Sequence, residues 1–545
     1  MLIDAREVPG GSTLCYDICI VGGGPAGISI AREFIGKARR VCLLESGGQT
    51  INGDALTDSL RDGENIGRPY FSIRKLGDRG LGGNSQRWAS SVRPLDALDF
   101  EKRDWVPYSG WPFSKGELMP YYRRASPLCG VGAYSYDTHD LVSGRRIEDP
   151  DFQPLSLSSD RLKTRVWQYD LPPLHWGKAY GSELKAAPNI DLYLYANAVE
   201  IEPNNDVKRV ESLRVACVSG SQFRVSARVY ILAAGGVEIP RLLLASNSVQ
   251  RAGLGNQNDL VGRFFTEHPH YNRSASFIAS RNHYPGLYSW KSAWRYGVRA
   301  GLSPSIKTQS EETLLNYTVR LDPSSHPFPQ RQLAPSLGST LSDIAHHANA
   351  AGRNNRVARR LQVRPAVQTV LDFLVMAEQA PNPISRIMLS PEKDRLGLHR
   401  VRLDWRLSAL DRRTAVRMPQ IIQEEIRRGK LGEVKIHLTE RDVAWPEFDT
   451  HKGPAHPTLV GGWHFMGTTR MHSDPKQGVV DADCRVHGLS NLYIASSSLF
   501  PTVGYANPTL TVIALALRLA DHVERQLLAH ESLNLDEGFR VFQTV

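Results

Sequence analysis

Residues 16–27 read YDICIVGGGPAG, and this stretch decides the fold. The apolar run Ile18–Val21 has the unbroken hydrophobicity of a strand buried on both faces, and the glycines after it end the strand. An apolar pattern resumes as a helix over Ile28–Phe34, and a second buried strand follows at Val41–Leu44. The chain therefore opens with a β-α-β unit, the building block of a parallel sheet covered by helices.

Three glycines and one acid of this unit form a nucleotide-binding pattern. Gly22 permits a tight turn, Gly24 lets the backbone approach a pyrophosphate, and Gly27 lets helix and strand pack closely. The helix start offers free N–H groups to phosphates. Glu45 ends the second strand, where a carboxylate can accept hydrogen bonds from a ribose diol. The pattern predicts a dinucleotide site, against the alternative of a glycine-rich turn without a ligand, and it does not separate FAD from NAD.

The rest of the chain changes character along its length. At 545 residues it exceeds the needs of one small core, so we expect two structural regions. Residues 199–233 alternate apolar and polar residues, which predicts an antiparallel meander that rejoins the main sheet. Residues 271–450 carry alternating strand and helix patterns and are interpreted as a separate sheet-containing region. A last long helix is predicted from about Pro508 to Leu528, with Pro508 in its first turn.

Five distant segments carry a family resemblance. They read LGGNSQRW at 81–88, ILAAGGVEIPRLLLAS at 231–246, VGRFFTEHP at 261–269, WHFMGTTRM at 463–471 and LYIASSSLFPTVGYANPTLTVIALAL at 492–517. In this order and spacing they resemble the glucose–methanol–choline oxidoreductase family, and the NPTLT stretch is most similar to its pyranose oxidase branch and bacterial relatives. The resemblance spans residues 14 to about 525 and leaves the middle of the chain unmatched in detail.

The resemblance implies the fold class and the cofactor. The fold class is α/β (α+β overall), with a discontinuous Rossmann-like FAD-binding domain and an inserted sheet-containing substrate-binding domain. The first part of the FAD-binding domain would span 14–270, with a mixed insertion at about 95–190. The substrate-binding domain would span 271–450, and residues 455–530 would return to the FAD-binding domain. The expected FAD-binding residues are Gly22, Gly24, Gly27, Glu45, Gly82, Gly83, Asn84, Val199, Ala234, Ala495, Ser496, Pro508 and Thr509.

One departure from the family concerns the attachment of FAD. Some relatives tether FAD through a histidine in the segment that matches residues 81–88, whereas this chain has Arg87 there and no histidine nearby. We therefore expect FAD to be bound non-covalently. No histidine or cysteine cluster has metal-ligand spacing, so no metal is expected.

By resemblance, the catalytic pair is His464 and Asn507. A neutral imidazole suits removal of a hydroxyl proton, and an amide can donate to the substrate oxygen. The alternatives are a satisfied core histidine and a helix N-cap, respectively. The helix that starts near Pro508 would also direct its positive end at the flavin. His268 and His270 are expected near the domain junction, with structural roles.

Composition limits the partners and the location. The net charge is +10, and hydrophobic and charged residues make up 41% and 22% of the chain, which is ordinary for a globular enzyme. The basic segment Gly352–Arg364 is interpreted as a solvated helix face or mobile loop, the alternative being a docking surface for an anionic partner or lipid, and because it lacks interleaved aromatic residues no nucleic acid is expected. No secretory signal, C-x-x-C pair or membrane span is recognised, and a cytoplasmic location is expected.

The predicted function is oxidation of a CH–OH group to a carbonyl, with hydride transfer to flavin N5. The substrate is a small-molecule alcohol or sugar whose identity stays open. The electron acceptor, whether dioxygen, a quinone or a carrier protein, also stays open. The alternatives are a lyase of the same fold whose FAD does not cycle between redox states, and a non-catalytic binding protein.

Overall fold

A computed structural model of the protein describes residues 1–50, 55–68, 70, 73, 77–144, 147, 150–280, 285–323, 369–438 and 459–542. The basic segment Gly352–Arg364 lies outside these residues, and its interpretation as a solvated face stays a prediction.

The described residues form three sheets and ten α-helices. The strands are β1 (Leu2–Asp4), β2 (Thr13–Val21), β3 (Val41–Leu44), β4 (Gly63–Asn65), β5 (Ser91–Val92), β6 (Leu162–Tyr169), β7 (Ile190–Leu194), β8 (Asn197–Pro203), β9 (Val210–Ala216), β10 (Gln222–Leu232), β11 (His270–Tyr271), β12 (Ala275–Ala279), β13 (Val298–Pro304), β14 (Tyr317–Pro323), β15 (Val370–Ala377), β16 (Arg386–Lys393), β17 (His399–Asp404), β18 (Gly432–Ile436), β19 (Leu459–Val460) and β20 (Leu492–Ile494). The helices are α1 (Pro25–Glu33), α2 (Ala55–Ser59), α3 (Lys115–Leu128), α4 (Thr138–Gly144), α5 (Trp176–Ala186), α6 (Gly235–Ala245), α7 (Trp290–Tyr296), α8 (Ile306–Glu312), α9 (Ala409–Arg428) and α10 (Thr509–Phe542).

The first sheet is built around the β-α-β unit. Its parallel strands lie in the order β1-β7-β3-β2-β10, with β20 parallel on the far side of β10. On the same side as β20, the first half of β10 pairs antiparallel with β9, and β9 pairs with β8. These three strands are the predicted antiparallel meander, which rejoins the parallel sheet beside β2. Ile18 and Ile20 are fully buried, as a strand covered on both faces requires.

The end of the chain completes this sheet. Residues Leu492, Tyr493 and Ile494 pair with the last residues of β10, and α10 packs against α1 and α3. Segments from the start, middle and end of the chain thus share one core. The fold is the expected α/β (α+β overall) arrangement, a discontinuous Rossmann-like domain with an inserted sheet region.

The second sheet is antiparallel and has the order β18-β12-β15-β14-β13-β6-β5, with β11 pairing to both β15 and β19. A third, small sheet joins β16, β17 and β4. Helix α9 packs against β18, and its start is fixed by a capping box between Ser408 and Asp411. The second core lies on one face of the large antiparallel sheet and under this helix.

The predicted domain boundaries at 14–270, 271–450 and 455–530 stay predictions. The structure adds two facts that bear on them. β1 joins the first sheet although it precedes residue 14. β5 and β6, which fall in or near the expected mixed insertion, pair within the second sheet. The chain therefore enters the second sheet early, returns through β7, and enters the second sheet again after β10.

The last helix differs from its prediction at both ends. Its first helical residue is Thr509, and the Pro508 carbonyl accepts a hydrogen bond from Val512 N at 2.9 Å, so Pro508 caps the helix instead of lying in its first turn. The helix continues past Leu528 to Phe542. Glu531, in this extension, pairs with Arg39 and Arg228, so ion pairs extend the helix after its apolar pattern has ended. In the described part of the chain, no helix is long and apolar enough to cross a bilayer.

Candidate active site

The glycine loop has the geometry that its sequence predicts. Gly22 has a φ of 111°, in the region that favours glycine, and α1 begins at Pro25. A Cβ atom on Gly27 would lie 2.0 Å from Gly22 O, so helix and strand approach as closely as glycine allows. A Cβ atom on Gly24 would meet no heavy atom within 4 Å. The loop thus presents bare backbone to an open side at a helix N-terminus, which suits a pyrophosphate.

Glu45 lies beside this loop. Its Oε2 accepts a hydrogen bond from Gly23 N at 2.9 Å, and its Oε1 accepts one from Gly47 N at 2.8 Å. The side chain is 4% exposed. The carboxylate therefore joins the ends of β2 and β3, and its role toward a ribose stays a prediction.

The segment at 81–88 closes the loop from the other side. Gly82 N donates to Gly23 O at 2.7 Å, and a Cβ atom on Gly83 would lie 3.2 Å from Gly24 Cα. Asn84 is exposed, and its Oδ1 accepts a hydrogen bond from Asp78 N at 2.8 Å. Arg87 pairs with the Asp78 carboxylate at 3.0 Å. Its side chain therefore has an electrostatic partner in the protein.

The remaining expected FAD-binding residues lie at or near the same edge of the first sheet. Ala234 follows β10, and a Cβ atom on Gly22 would lie 3.0 Å from the Cα atom of Ala234. Ala495 and Ser496 follow β20, and Ala495 N donates to Leu232 O at 2.8 Å. Val199 is buried within β8. Pro508 caps α10, and Thr509 is its first residue. The carboxyl ends of β2, β3, β10 and β20 thus form one cradle of glycine backbone and helix starts, which fits FAD.

His464 and Asn507 lie next to each other. Asn507 Nδ2 is 3.4 Å from His464 Nε2, and Ser91 Oγ donates to Asn507 Oδ1 at 3.5 Å. The Asn507 side chain therefore faces the histidine, and Pro508 has the capping position that was the alternative for Asn507. Trp463, directly before the histidine, has a φ of 64°, a left-handed conformation that is uncommon for a bulky residue.

His268 is a direct neighbour that the sequence analysis did not assign to the site. Its Nδ1 lies 2.9 Å from His464 Nδ1, with the rings nearly perpendicular at 80°. It belongs to the quoted segment VGRFFTEHP, which is the only sequence signal for it. The contact joins residues 196 positions apart in the chain, and spacing alone does not predict it.

Glu267 anchors both histidines through their backbones. Its carboxylate accepts hydrogen bonds from His464 N at 2.6 Å, Gly462 N at 2.7 Å and His268 N at 2.8 Å, and from the hydroxyl of Tyr70. Burial raises the pKa of Glu267 to about 7, although these four hydrogen bonds oppose the shift. Glu267 was not predicted as a site residue either, because nothing in the sequence distinguishes it from the other acidic residues.

The electrostatics keep the imidazoles neutral. Burial lowers the pKa of His464 well below its ordinary value, and His268, His270 and Arg320 add to the effect. Burial likewise lowers the pKa of His268 to about 3 and that of His270 to about 4. A neutral imidazole at position 464 is the form that can accept a proton.

An aromatic cluster lies beside the histidines on the open face of the second sheet. It consists of the aromatic side chains of Trp167, Tyr169, Trp290 and Tyr505 together with Met376. Met376 pairs across the sheet with His270, and Tyr505 is two residues from Asn507. His464, His270 and Asn507 each remain partly accessible although most of their neighbours in sequence are buried. These partly accessible side chains therefore lie at the junction of the second sheet with the helix that packs on the first sheet.

The chain is similar to known oxidoreductases in sequence and in fold. The family model described as GMC oxidoreductase matches residues 381–516. The 5-(hydroxymethyl)furfural oxidase of Methylovorus sp. (strain MP688) is 44% identical over 94% of this chain and 99% of its own length. The C-glycoside 3-oxidase of Microbacterium trichothecenolyticum is 31% identical over 94% of this chain and 97% of its own length. The structure of pyridoxine 4-oxidase from Mesorbium loti superposes with a TM-score of 0.55 at 18% identity, covering 93% of this chain and 99% of that one, which shows a common fold.

Proposed function

The chain belongs to the GMC oxidoreductase family and is an FAD-dependent enzyme that acts on CH–OH donors, and on this premise we propose that His464 removes the hydroxyl proton of its substrate. Bound FAD would supply the hydride acceptor for oxidation of the hydroxyl-bearing carbon to a carbonyl, while His464 takes the hydroxyl proton. The observation that carries the proposal is the 3.4 Å contact between His464 Nε2 and Asn507 Nδ2, at the junction of the two sheets.

The hydrogen bonds around His464 select its tautomer. Two neutral rings whose Nδ1 atoms lie 2.9 Å apart need one donor and one acceptor. Asn507 directs its amide N–H groups at His464 Nε2, so this nitrogen is the acceptor. Nδ1 of His464 then carries the proton and donates to His268 Nδ1. In this tautomer Nε2 of His464 is the proton acceptor, and a substrate hydroxyl would replace the long 3.4 Å contact with Asn507, while His268 acts as a positioning residue.

Asn507 supports the same step. Its Nδ2 can donate to the substrate oxygen as that oxygen loses its proton, which stabilises the developing negative charge. Ser91 holds the opposite end of the amide and so fixes which atom faces the substrate. Glu267 keeps the backbones of His464 and His268 in register, which preserves the geometry of proton transfer.

The lyase alternative is not favoured. The relatives that cover nearly all of this chain are named oxidases or dehydrogenases. Among the alcohols, those relatives suggest hydroxymethyl-bearing rings and sugar derivatives as the first substrates to screen.

The test is flavin reduction without oxygen. Wild-type protein mixed anaerobically with a panel of alcohols and sugars should lose its flavin absorbance, and His464→Ala should bleach about 10²–10⁴-fold more slowly with FAD still bound. His139→Ala, at an exposed position of α4, is the matched control and should behave as wild type. Adding dioxygen or a quinone afterwards identifies the electron acceptor. Wild-type rates in His464→Ala would place the base elsewhere.

A further inference from the structure

Arg320 lies on the open face of the second sheet. Along β14, Val319 and Leu321 point into the second core, so Arg320 points to the opposite face. Across the sheet, Thr318 pairs with Met376, and Met376 pairs with His270. Arg320 therefore extends toward the same side of the sheet as the aromatic cluster and His270.

The guanidinium of Arg320 forms no direct ion pair among the described residues, although burial, which lowers its pKa, is partly opposed by the charge of Asp322. It lies 4.5 Å over the ring of Trp167, and its Nε and Nη2 atoms are buried without a hydrogen-bond partner among the described residues. The two carboxylates on neighbouring positions are occupied. Asp322 accepts from Arg299 Nη2 at 2.7 Å, and Asp372 accepts from Ser276 Oγ at 2.9 Å.

Most other buried arginines in the described parts of the chain are paired with a carboxylate; the exception, Arg470, donates to Tyr108 O at 2.7 Å. Arg103 forms two hydrogen bonds with Glu378, and Arg241 Nη2 lies 2.6 Å from Asp394. A buried cation without a partner is costly, and proteins ordinarily neutralise it. The cost indicates that Arg320 is kept for a partner that comes from outside the chain.

The surroundings of Arg320 offer donors and flat apolar walls. Tyr169 Oη and Trp167 Nε1 are also buried without partners among the described residues. The ring centroids of Trp167 and Tyr505 lie 5.7 Å apart, and Tyr505 is two residues from Asn507. The charge of Arg320 also contributes to the lowered pKa of His464, which indicates that the two residues face the same region. A ligand bound here would find one free cation, several N–H and O–H donors, and aromatic surface.

We propose that Arg320 determines specificity and that the preferred substrate is a ring-containing alcohol that carries a carboxylate. The guanidinium fork matches the two oxygens of a carboxylate, and a single free cation suits a monoanion better than a phosphate dianion. The carboxylate would bind at Arg320, the ring would lie against Trp167 and Tyr505, and the CH–OH group would face His464. This inference rests on the proposed function and adds the class of substrate.

The experiment compares two alcohols of matched shape in the holoenzyme. Wild-type protein should oxidise para-(hydroxymethyl)benzoate with a higher kcat/KM than para-methylbenzyl alcohol. Arg320→Gln should lose at least about tenfold with the carboxylate and much less with the neutral alcohol. Arg251→Gln, at an exposed position, is the matched control and should retain the preference. Benzoate, which has no hydroxyl to oxidise, should perturb the flavin spectrum of the wild type with a Kd that rises at least about tenfold in Arg320→Gln.

The outcomes separate the two proposals. Alcohols that reduce the flavin with no preference for the carboxylate, or a loss in Arg320→Gln that is equal for both alcohols, would overturn the role of Arg320. Benzoate binding that depends on Arg320 in a protein that oxidises no alcohol would overturn the proposed function and keep the anion site. If Arg320→Gln does not retain FAD, Arg320→Lys keeps the charge without the fork and should show an intermediate preference; an unchanged preference would also overturn the proposal.

Discussion

Three neutral imidazoles, and no carboxylate–imidazole pair, form the centre of the site. Burial lowers the pKa values of His464, His268 and His270, and the positive charge of Arg320 acts in the same direction on His464 and His270. The nearest acid, Glu267, is engaged by backbone N–H groups and the Tyr70 hydroxyl. The proton acceptance proposed for His464 would therefore depend on desolvation and on hydrogen bonds that fix its tautomer.

A pH profile of flavin reduction tests this arrangement. His464 accepts a proton only when it is neutral, and its lowered pKa means that it stays neutral to a lower pH than an ordinary histidine. With a substrate that has no titratable group, the loss of rate caused by protonation of His464 should occur only below the ordinary histidine value of 6.5, whereas a change near pH 7 would reflect protonation of Glu267. Rapid mixing of the wild type and of Glu267→Gln provides the measurement, and an acid limb at or above 6.5 that persists in Glu267→Gln would contradict the lowered pKa of His464.

Two substitutions at position 268 show whether tautomer control contributes to the rate of flavin reduction. His268→Leu removes the acceptor for His464 Nδ1 and should lower this rate by roughly tenfold or more, whereas His268→Gln retains an amide oxygen and should recover part of the loss. FAD content and melting temperature serve as controls for folding. Equal rates in the two variants would assign His268 a purely structural role.

His464 and Asn507, which the sequence predicts as a pair, lie 3.4 Å apart in the structure, but the residues around them were not predicted. His464 and Asn507 stand in motifs that can be read locally. The contacts of His268 and Glu267 with His464 depend on two chain segments that meet only in the folded protein. Arg320 was not predicted as a site residue either. In an alternating strand pattern an arginine is expected to face solvent, and only the folded structure shows that this face of the sheet is covered.

Among the structural elements, the β2–α1 turn separates two uses of glycine. Gly27 is needed for packing, because a Cβ atom there would lie 2.0 Å from Gly22 O. Gly24 has ordinary backbone angles and open space at its Cβ position. One glycine thus serves the fold and the other serves the ligand.

This difference predicts opposite effects for the two alanine substitutions. Gly24→Ala should fold with the far-ultraviolet spectrum of the wild type and bind FAD more weakly, because the added methyl group projects toward the site of the pyrophosphate. Gly27→Ala should lower the stability of the protein itself, by about 1–3 kcal/mol or more, because an overpacked helix–strand contact must move. Thermal melts of the FAD-free proteins and FAD titrations provide the two measurements. Weak FAD binding with intact folding in Gly27→Ala would reverse these assignments.

Elements were predictable where the pattern was local. The β-α-β unit and the meander of β8, β9 and β10 follow from apolar runs and alternation within the segments themselves. The end of α10 was not predictable, because polar residues such as Glu531 continue the helix through ion pairs with Arg39 and Arg228. Those partners belong to other parts of the chain.

At the scale of the whole molecule, the site lies where the two sheets meet. The first sheet supplies the cofactor cradle at the carboxyl ends of its parallel strands, as doubly wound folds do. The second sheet supplies the face with Arg320 and the aromatic cluster. His464 and Asn507 come from the last part of the chain, which β20 and α10 fasten to the first sheet. The proposed catalytic residues and the proposed specificity residue thus lie in different layers of the molecule.

This construction predicts how FAD leaves the protein. Its expected contacts come from segments around residues 22, 45, 82, 234 and 495, so they exist only while the chain is folded. The segment at 81–88 holds no histidine, and Arg87 is paired with Asp78. Acid precipitation should therefore release all of the flavin into the supernatant, where its absorbance is measured, and the pellet should be colourless. A polypeptide band that keeps flavin fluorescence in a denaturing gel would show a covalent bond, and the expectation of non-covalent binding would then be wrong.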